Sequence, residues 1–423
     1  MSRYDVAYVR SQFPSLKRNI DGRPAAYLDG PGGTQTPQRV VNAVRDYLVD
    51  HNANGGGRFV TGEETDATIA AAHEAGADFL GCEPAEVSFG ANMTTLTYFL
   101  AEALGRRLRS GDEVVITALD HEANRSPWAQ LAERGVVIRE VPVDLATCTL
   151  DWTAFEALVQ PGRTKIVALG YASNAVGTVN DVARAARLAR AAGAWSVVDA
   201  VHYALHGPID ARAVDCDFLF CSAYKFFGPH VGLMFARRDA TAQVEPLRLA
   251  TQTPEPPYIW ETGTLNFEGL SGTVAAIDFI ADLGARHMGM IEDRLPAGLA
   301  GRRRAVVAGM LAGEAYEQPL AAWLRTQLAD IPGVTLYGPP EGSPRTSTVS
   351  FTLDGFLAGE AARTLGERGL FVWDGDFFAA RLVELLGLAG RGGLIRVGLA
   401  PYTTQGELER LVAAVRDLSR SVR

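Results

Sequence analysis

The chain lacks the features that would commit it to a membrane, a disulfide framework or a nucleic acid. No uninterrupted apolar run approaches the roughly 20 residues of a membrane-spanning helix. The opening stretch, MSRYDVAYVRSQFPSL, holds no apolar signal core and carries charge throughout. Cysteine is scarce: Cys82, Cys148, Cys216 and Cys221 form neither a CxxC pair nor a metal-ligand spacing. Neither disulfides nor a metal site is expected, and a reducing cytoplasm suits such a chain. Basic charge is also short. The 40 Lys and Arg against 49 Asp and Glu leave a net charge of −9, which argues against nucleic acid as a partner. No internal repeat or low-complexity tract is visible.

What is present is a globular composition, 47% hydrophobic and 21% charged over 423 residues. That length exceeds one ordinary core, so two domains are expected. Short apolar runs alternate with helix-like segments such as AARLARAAGA (185–194), a pattern that calls for a mostly parallel α/β sheet. The stretch from Trp195 to Gly232 is the most informative. In it SVV delivers Asp199, with His202 three residues on, and DFLF delivers Ser222, Tyr224 and Lys225. In open α/β sheets functional groups collect beyond the carboxyl ends of the strands. Adjacent strands would therefore bring Asp199 and Lys225 to one rim. A buried acid beside a lysine suits pyridoxal phosphate (PLP), the amine forming the Schiff base and the acid keeping the ring nitrogen protonated. The plainer reading is a helix cap and a solvated cation.

Other segments leave similar choices. EVSFGANMTTLTYFLAEAL (86–104) reads as a strand entering a helix whose first turn holds Met93, Thr94 and Thr95. Free N–H groups and hydroxyls there can hold phosphate, or a threonine can serve only as the N-cap. His121, at the end of DEVVITALDH, would lie over a planar ligand or be structural. KIVALGYASN delivers Asn174 to the same rim. The loop NANGGGRFVTGEE (52–64) is either a flexible connection or backbone close to a ligand, with Arg58 as an anion contact.

These residues fit a known pattern. GANMTT, LDHEANRSPW, YASNAVGT, VDAVHYALHGPID, CSAYKFFGP, WETGTLNFEG and IRVGLAPYTT, in that order, resemble the class V aminotransferase group of fold-type I PLP enzymes, most closely the cysteine-desulfurase-like branch. The resemblance implies a large PLP-binding domain (21–285) with a mostly parallel seven-stranded sheet, a smaller α+β C-terminal domain (286–423), and an N-terminal segment (1–20) packing on the latter. It gives Lys225 the Schiff base and proton transfer at Cα, Asp199 the pyridinium nitrogen, His121 the ring face and His202 the neighbourhood of the ring hydroxyl. Met93, Thr94, Ser222 and Tyr224 would hold the phosphate; the family more often has histidine where Tyr224 stands. Gly263 and Thr264 would reach the phosphate of a second subunit, which implies a homodimer. Asn174 and Arg396 would bind the substrate carboxylate.

One departure matters. Where one desulfurase group carries a catalytic cysteine in a segment like RTGHHCA, this chain reads WDGDFFA (373–379), with Phe378 at the cysteine position and Trp373 at the arginine. The expectation is therefore β-elimination at a C–S bond of cysteine or an S-substituted cysteine, without a persulfide. Trp373, Phe377 and Phe378 either line a pocket for a bulky substituent or pack the loop. The alternative is an epimerase, aminotransferase or decarboxylating deaminase of secondary metabolism. A non-catalytic scaffold would have no need of Asp199, Lys225 and Arg396 together.

Overall fold

The computed structural model describes residues 4–421. Its centre is a seven-stranded sheet. In chain order the strands are β1 (Val87–Gly90), β2 (Glu113–Thr117), β3 (Val137–Val141), β4 (Thr164–Gly170), β5 (Trp195–Asp199), β6 (Phe218–Ser222) and β7 (Gly232–Ala236). Their spatial order is β1-β7-β6-β5-β4-β2-β3. Only β7 runs antiparallel, returning between β6 and β1. Every residue of β2, β6 and β7 is buried, as expected of central strands covered on both faces. Because β4, β5 and β6 are parallel and nearly level, Gly170, Asp199 and Ser222 finish on one rim.

Helices α1 (Val60–Leu80), α2 (Met93–Gly105) and α3 (Val182–Ala192) cover the sheet. In α3 the small residues Ala185, Ala186, Ala189 and Ala192 form the buried stripe; Asp181 caps its start, and Gly193 closes it at φ 73°. Two long helices, α4 (Phe267–Ile291) and α5 (Gly301–Ala329), lead to the small domain. The first half of α5 packs in the large core through Val306 to Ala312, and its second half joins the small core through Ala321, Leu324 and Leu328. The small sheet has the order β8-β9-β11-β10, from β8 (Val334–Tyr337), β9 (Thr348–Leu353), β10 (Trp373–Gly375) and β11 (Leu394–Gly398). Helices α6 (Ala358–Glu367) and α7 (Gln405–Ser421) pack on it. The N-terminal segment meets both domains: Phe13 packs edge-on against Phe227, Phe279 and Tyr402, while Arg10 pairs with Glu407 at 3.0 Å.

The crossing of α4 and α5 depends on two glycines. A Cβ on Gly284 would collide with the carbonyl oxygen of Ala305, and one on Gly309 with that of Ile280. Backbone cannot yield as a flexible side chain can. Gly309→Ala is therefore expected to lower stability by about 1–3 kcal/mol, the usual cost of overpacking, read as a drop in the urea midpoint.

Among the described residues no helix is long and apolar enough to cross a membrane.

Candidate active site

A cavity of about 520 Å³ opens at the carboxyl rim of β4, β5 and β6. It gathers Met93, Thr94, His121, Asn174, Asp199, His202, Ser222, Tyr224 and Lys225 in its wall, the group that the sequence placed at one rim.

Lys225 ends the helical turn that follows β6. Its ammonium donates to the carbonyl oxygens of Pro31 and, at 3.1 Å, Gly32. Burial and the Arg396 guanidinium push its pKa down to about 7, against the pull of Asp29 and Asp199. Lys225 is also one of only three lysines in the chain; the others are Lys17, which is exposed, and Lys165 at the opposite end of the sheet. A neutral amine is the nucleophile, so in the cofactor-free protein its capture of PLP should rise with pH. The rate should be half-maximal near pH 7, where an ordinary lysine would need about pH 10. Stopped-flow absorbance across pH 5–9 would check this, and a midpoint above about 9 would refute it.

Asp199, at the end of β5, is buried and accepts from the amide of Val201 at 2.9 Å. Burial pushes its pKa up to about 6, opposed by that amide and by Lys225. Asp120, which the sequence reading passed over, lies beside it in the cavity wall. Its carboxylate accepts from Gly170 N at 2.8 Å and Asn124 Nδ2 at 3.2 Å, and burial raises its pKa to about 7. His121 is not at a strand end, as expected, but four residues beyond β2 in a turn. Its Nδ1 accepts from Ala123 N at 3.0 Å, which leaves the proton on Nε2. Burial, then Lys225 and Arg396, lower its pKa to about 4, so the ring is neutral. His202 is likewise held neutral by burial, with Nε2 3.0 Å from the hydroxyls of both Thr346 and Thr348.

At the other end of the cavity lies the start of α2. Asn92 is the N-cap, accepting from Thr95 N at 2.9 Å, so neither threonine fills that role. Ser222 Oγ accepts from Met93 N at 3.1 Å and ties β6 to the helix. Tyr224 stacks on His230, the rings 4.9 Å apart. Thus an imidazole does stand beside the tyrosine, six positions along the chain.

Arg396 lies on β11, outside the cavity wall, with both terminal nitrogens engaged. Its Nη2 pairs with Asp29 Oδ1 at 2.8 Å and its Nη1 donates to the Asn174 carbonyl at 3.1 Å. Its planar face rests 4.2 Å from the Phe377 ring. Nε and the Asn174 side-chain oxygen are buried without a partner among the described residues. The Asp29 contact left no trace in the sequence, since 367 positions separate the two.

The segment 373–379 packs against residues of the cavity wall. Asn174 Nδ2 donates to the Phe377 carbonyl at 2.8 Å, and the Glu122 amide to the Phe378 carbonyl at 2.7 Å. Both phenylalanines take left-handed φ, 57° and 59°, an uncommon state for bulky residues. Phe377 is buried under Arg396, whereas Phe378 is 70% exposed with its ring 5.4 Å from that of His121. Trp373 is exposed on β10 beside Arg396 in the strand register. So one ring packs the loop and two are exposed.

Three further candidates lie outside the cavity wall. Arg58 is exposed on the loop before α1. Gly263 is exposed at φ 86°, and Thr264 lines a separate hollow with Phe89, Leu96 and Trp260. The cysteines are also absent from the cavity wall among the described residues: Cys148, Cys216 and Cys221 are buried and Cys82 is half-buried. Burial raises the pKa of all four thiols.

The donor set fits PLP. A depressed amine awaits an aldehyde, a buried carboxylate without a cationic contact awaits a protonated ring nitrogen, and amides and hydroxyls at a helix start await a phosphate.

Known proteins agree. The sequence profile of the aminotransferase class-V family matches residues 26–305 and 305–411. Cysteine desulfurases from Serratia proteamaculans and Yersinia pestis are each 30% identical over 99% of both chains. A cysteine desulfurase structure from Escherichia coli superposes with a TM-score of 0.83 at 26% identity, covering all of both chains. One from Thermococcus onnurineus gives 0.85 at 24% identity, covering 100% of this chain and 99% of its own, and shares the fold. With a lysine, an acid and an anion cradle converging on one cavity, the chain belongs to the class-V aminotransferase family and is a PLP-dependent enzyme related to cysteine desulfurases.

Proposed function

We propose that the enzyme breaks the Cβ–S bond of cysteine or an S-substituted cysteine by β-elimination, giving pyruvate, ammonia and a thiol, with no persulfide on the protein. The observation that carries this reading is Phe378 beside His121 of the cavity wall, the rings 5.4 Å apart, with every cysteine outside that wall. A desulfurase that takes sulfur onto itself needs a thiolate near the substrate sulfur. Elimination needs only a base at Cα and a leaving group at Cβ.

Bound through Lys225, the coenzyme supplies an electron sink for the pair left at Cα. Asp199 keeps the ring nitrogen protonated, and neutral His121 covers the ring without adding charge. His202 stands near the ring hydroxyl. Met93, Thr94, Ser222 and Tyr224 hold the phosphate, joined by Gly263 and Thr264 of a second copy in a homodimer. Arg58, on its glycine-rich loop, contributes an anion contact. Arg396 and Asn174 anchor the substrate carboxylate, the Arg396 fork exchanging its contacts with Asp29 and the Asn174 carbonyl for the ligand. Once freed, the Lys225 amine takes the Cα proton. The electron pair at Cα then forms the Cα–Cβ double bond as the C–S bond breaks with its own pair on sulfur, which takes up a proton as the thiol, and water hydrolyses the released enamine to pyruvate and ammonia. Exposed Phe378 and Trp373 suit an apolar group on that sulfur.

The test is a panel of S-alkyl and S-aryl cysteines, assayed for pyruvate and thiol. Pyruvate from none of them would overturn the proposal, and solvent deuterium at Cα without pyruvate would point to an epimerase. A variant with all four cysteines replaced by alanine should keep activity within about threefold, since a buried cysteine acts mainly as a small apolar residue. Loss of turnover in that folded variant would restore a thiol to the mechanism.

A further inference from the structure

The small domain contains a second cavity, of about 290 Å³, between α5, β8 and the loop that leads into β9. Arg325 reaches it from α5, Arg345 from the loop, and Tyr337, Leu336 and Thr348 complete much of its wall. Three donors there, Arg325 Nε and Nη1 and Arg345 Nε, are buried without a hydrogen-bond partner among the described residues. A buried charged donor left unpaired is costly, and structures rarely tolerate several together. The available counter-charge is weak. Glu341 meets one Arg325 nitrogen at 3.1 Å, and its side chain is 80% exposed. Arg345 spends its Nη2 on the carbonyl oxygens of Pro339 and Pro340.

We propose that Arg325 and Arg345 form a binding site for a small oxyanion, a carboxylate or phosphate-like group, seated on these three donors and read out at the active site. Two guanidinium groups in the wall of one hollow match such a ligand in charge, and a small turn of either side chain brings its unpaired donors to bear on it. Burial and the nearby Arg325 also push the Arg345 pKa down, opposed by Glu341, which marks positive charge in excess of its compensation.

The connection to the active site is short. Residues 344–346 strap the small domain to the large one, through Val179 N to Pro344 O at 3.2 Å and Thr346 N to Gly177 O at 2.9 Å. Gln318 Nε2 grips the Arg345 carbonyl at 2.7 Å. The next side chain, Thr346, and then Thr348 are the two hydroxyls that hold His202 Nε2. An anion that draws the Arg345 side chain inward therefore acts on the strap that sets the His202 contact.

The test uses PLP-loaded protein, so that the cofactor's own phosphate site is filled. Inorganic phosphate and, separately, malonate are titrated by calorimetry at constant ionic strength set with chloride. Saturable binding at one site per chain is expected for at least one of them, weakened tenfold or more by Arg325→Gln and tightened by Glu341→Gln. Arg325→Gln decides the matter, because Arg345 also tethers its loop and Arg345→Gln can loosen the strap. Absence of saturable binding to either anion, or unchanged affinity in Arg325→Gln, would overturn the site. The cofactor absorbance should shift in parallel with occupancy; binding that leaves it unmoved would overturn the link to His202.

Discussion

Lys225→Ala should abolish pyruvate formation, with a loss of about 10³-fold or more, because one side chain both tethers the cofactor and moves the Cα proton. Neither role has a substitute nearby. Lys17 and Lys165 are remote, and arginine does not form an imine with an aldehyde at neutral pH. The fold should survive, since the amine contacts the carbonyl oxygens of Pro31 and Gly32, which water can satisfy, and the face of the Tyr224 ring at 4.8 Å. Stability should even improve in the cofactor-free protein. A lysine whose folded pKa is lowered to about 7 binds its proton more weakly than in the unfolded chain. Its burial cost is therefore fully present below pH 7 and fades as pH rises towards the unfolded value of about 10.4. Cofactor-free Lys225→Ala should thus melt at or above the wild-type temperature at pH 6. Borohydride reduction followed by peptide mapping gives the second readout: the wild type should carry the cofactor on the peptide containing Lys225, and the variant on none. A variant that still turned over would remove Lys225 from the chemistry.

Asp199→Asn should be the next most damaging change, lowering kcat by about 10²–10⁴-fold with little change in KM. The amide is nearly isosteric and can still accept from Val201 N. It cannot hold a proton on the ring nitrogen, so the electron sink weakens while substrate contacts remain. The cofactor-free variant should gain stability above about pH 6, because a carboxylate with its folded pKa raised to that value is buried at a cost only once ionised. Unchanged kcat would sink the role assigned to Asp199.

The parts of this site legible in the sequence are those that follow from strand geometry. Asp199 and Lys225 were placed together because continuous apolar runs become buried parallel strands, and such strands deliver their next residues to one rim. Met93, Thr94 and Ser222 followed from the same rule, applied to a strand entering a helix. The contacts made when the small domain docks were not legible. Asp29 on Arg396, Thr346 and Thr348 on His202, and Phe377 under the guanidinium join segments more than 100 positions apart, apart from Phe377, whose left-handed backbone breaks the local preference of phenylalanine. His230 beside Tyr224 was missed because it is exposed on a loop and carries no strand or helix signal. Gly263 and Thr264 were assigned by resemblance to a second copy, a placement that no single chain can display, and Arg58 rested only on the glycine-rich loop that carries it.

Lysine supplies only three of the 40 basic side chains. An aldehyde in excess consequently meets few competing ε-amines, and guanidinium groups do not capture it under mild conditions. Loading of the enzyme should converge on one adduct, and the ratio of bound coenzyme to polypeptide can be taken directly from visible absorbance.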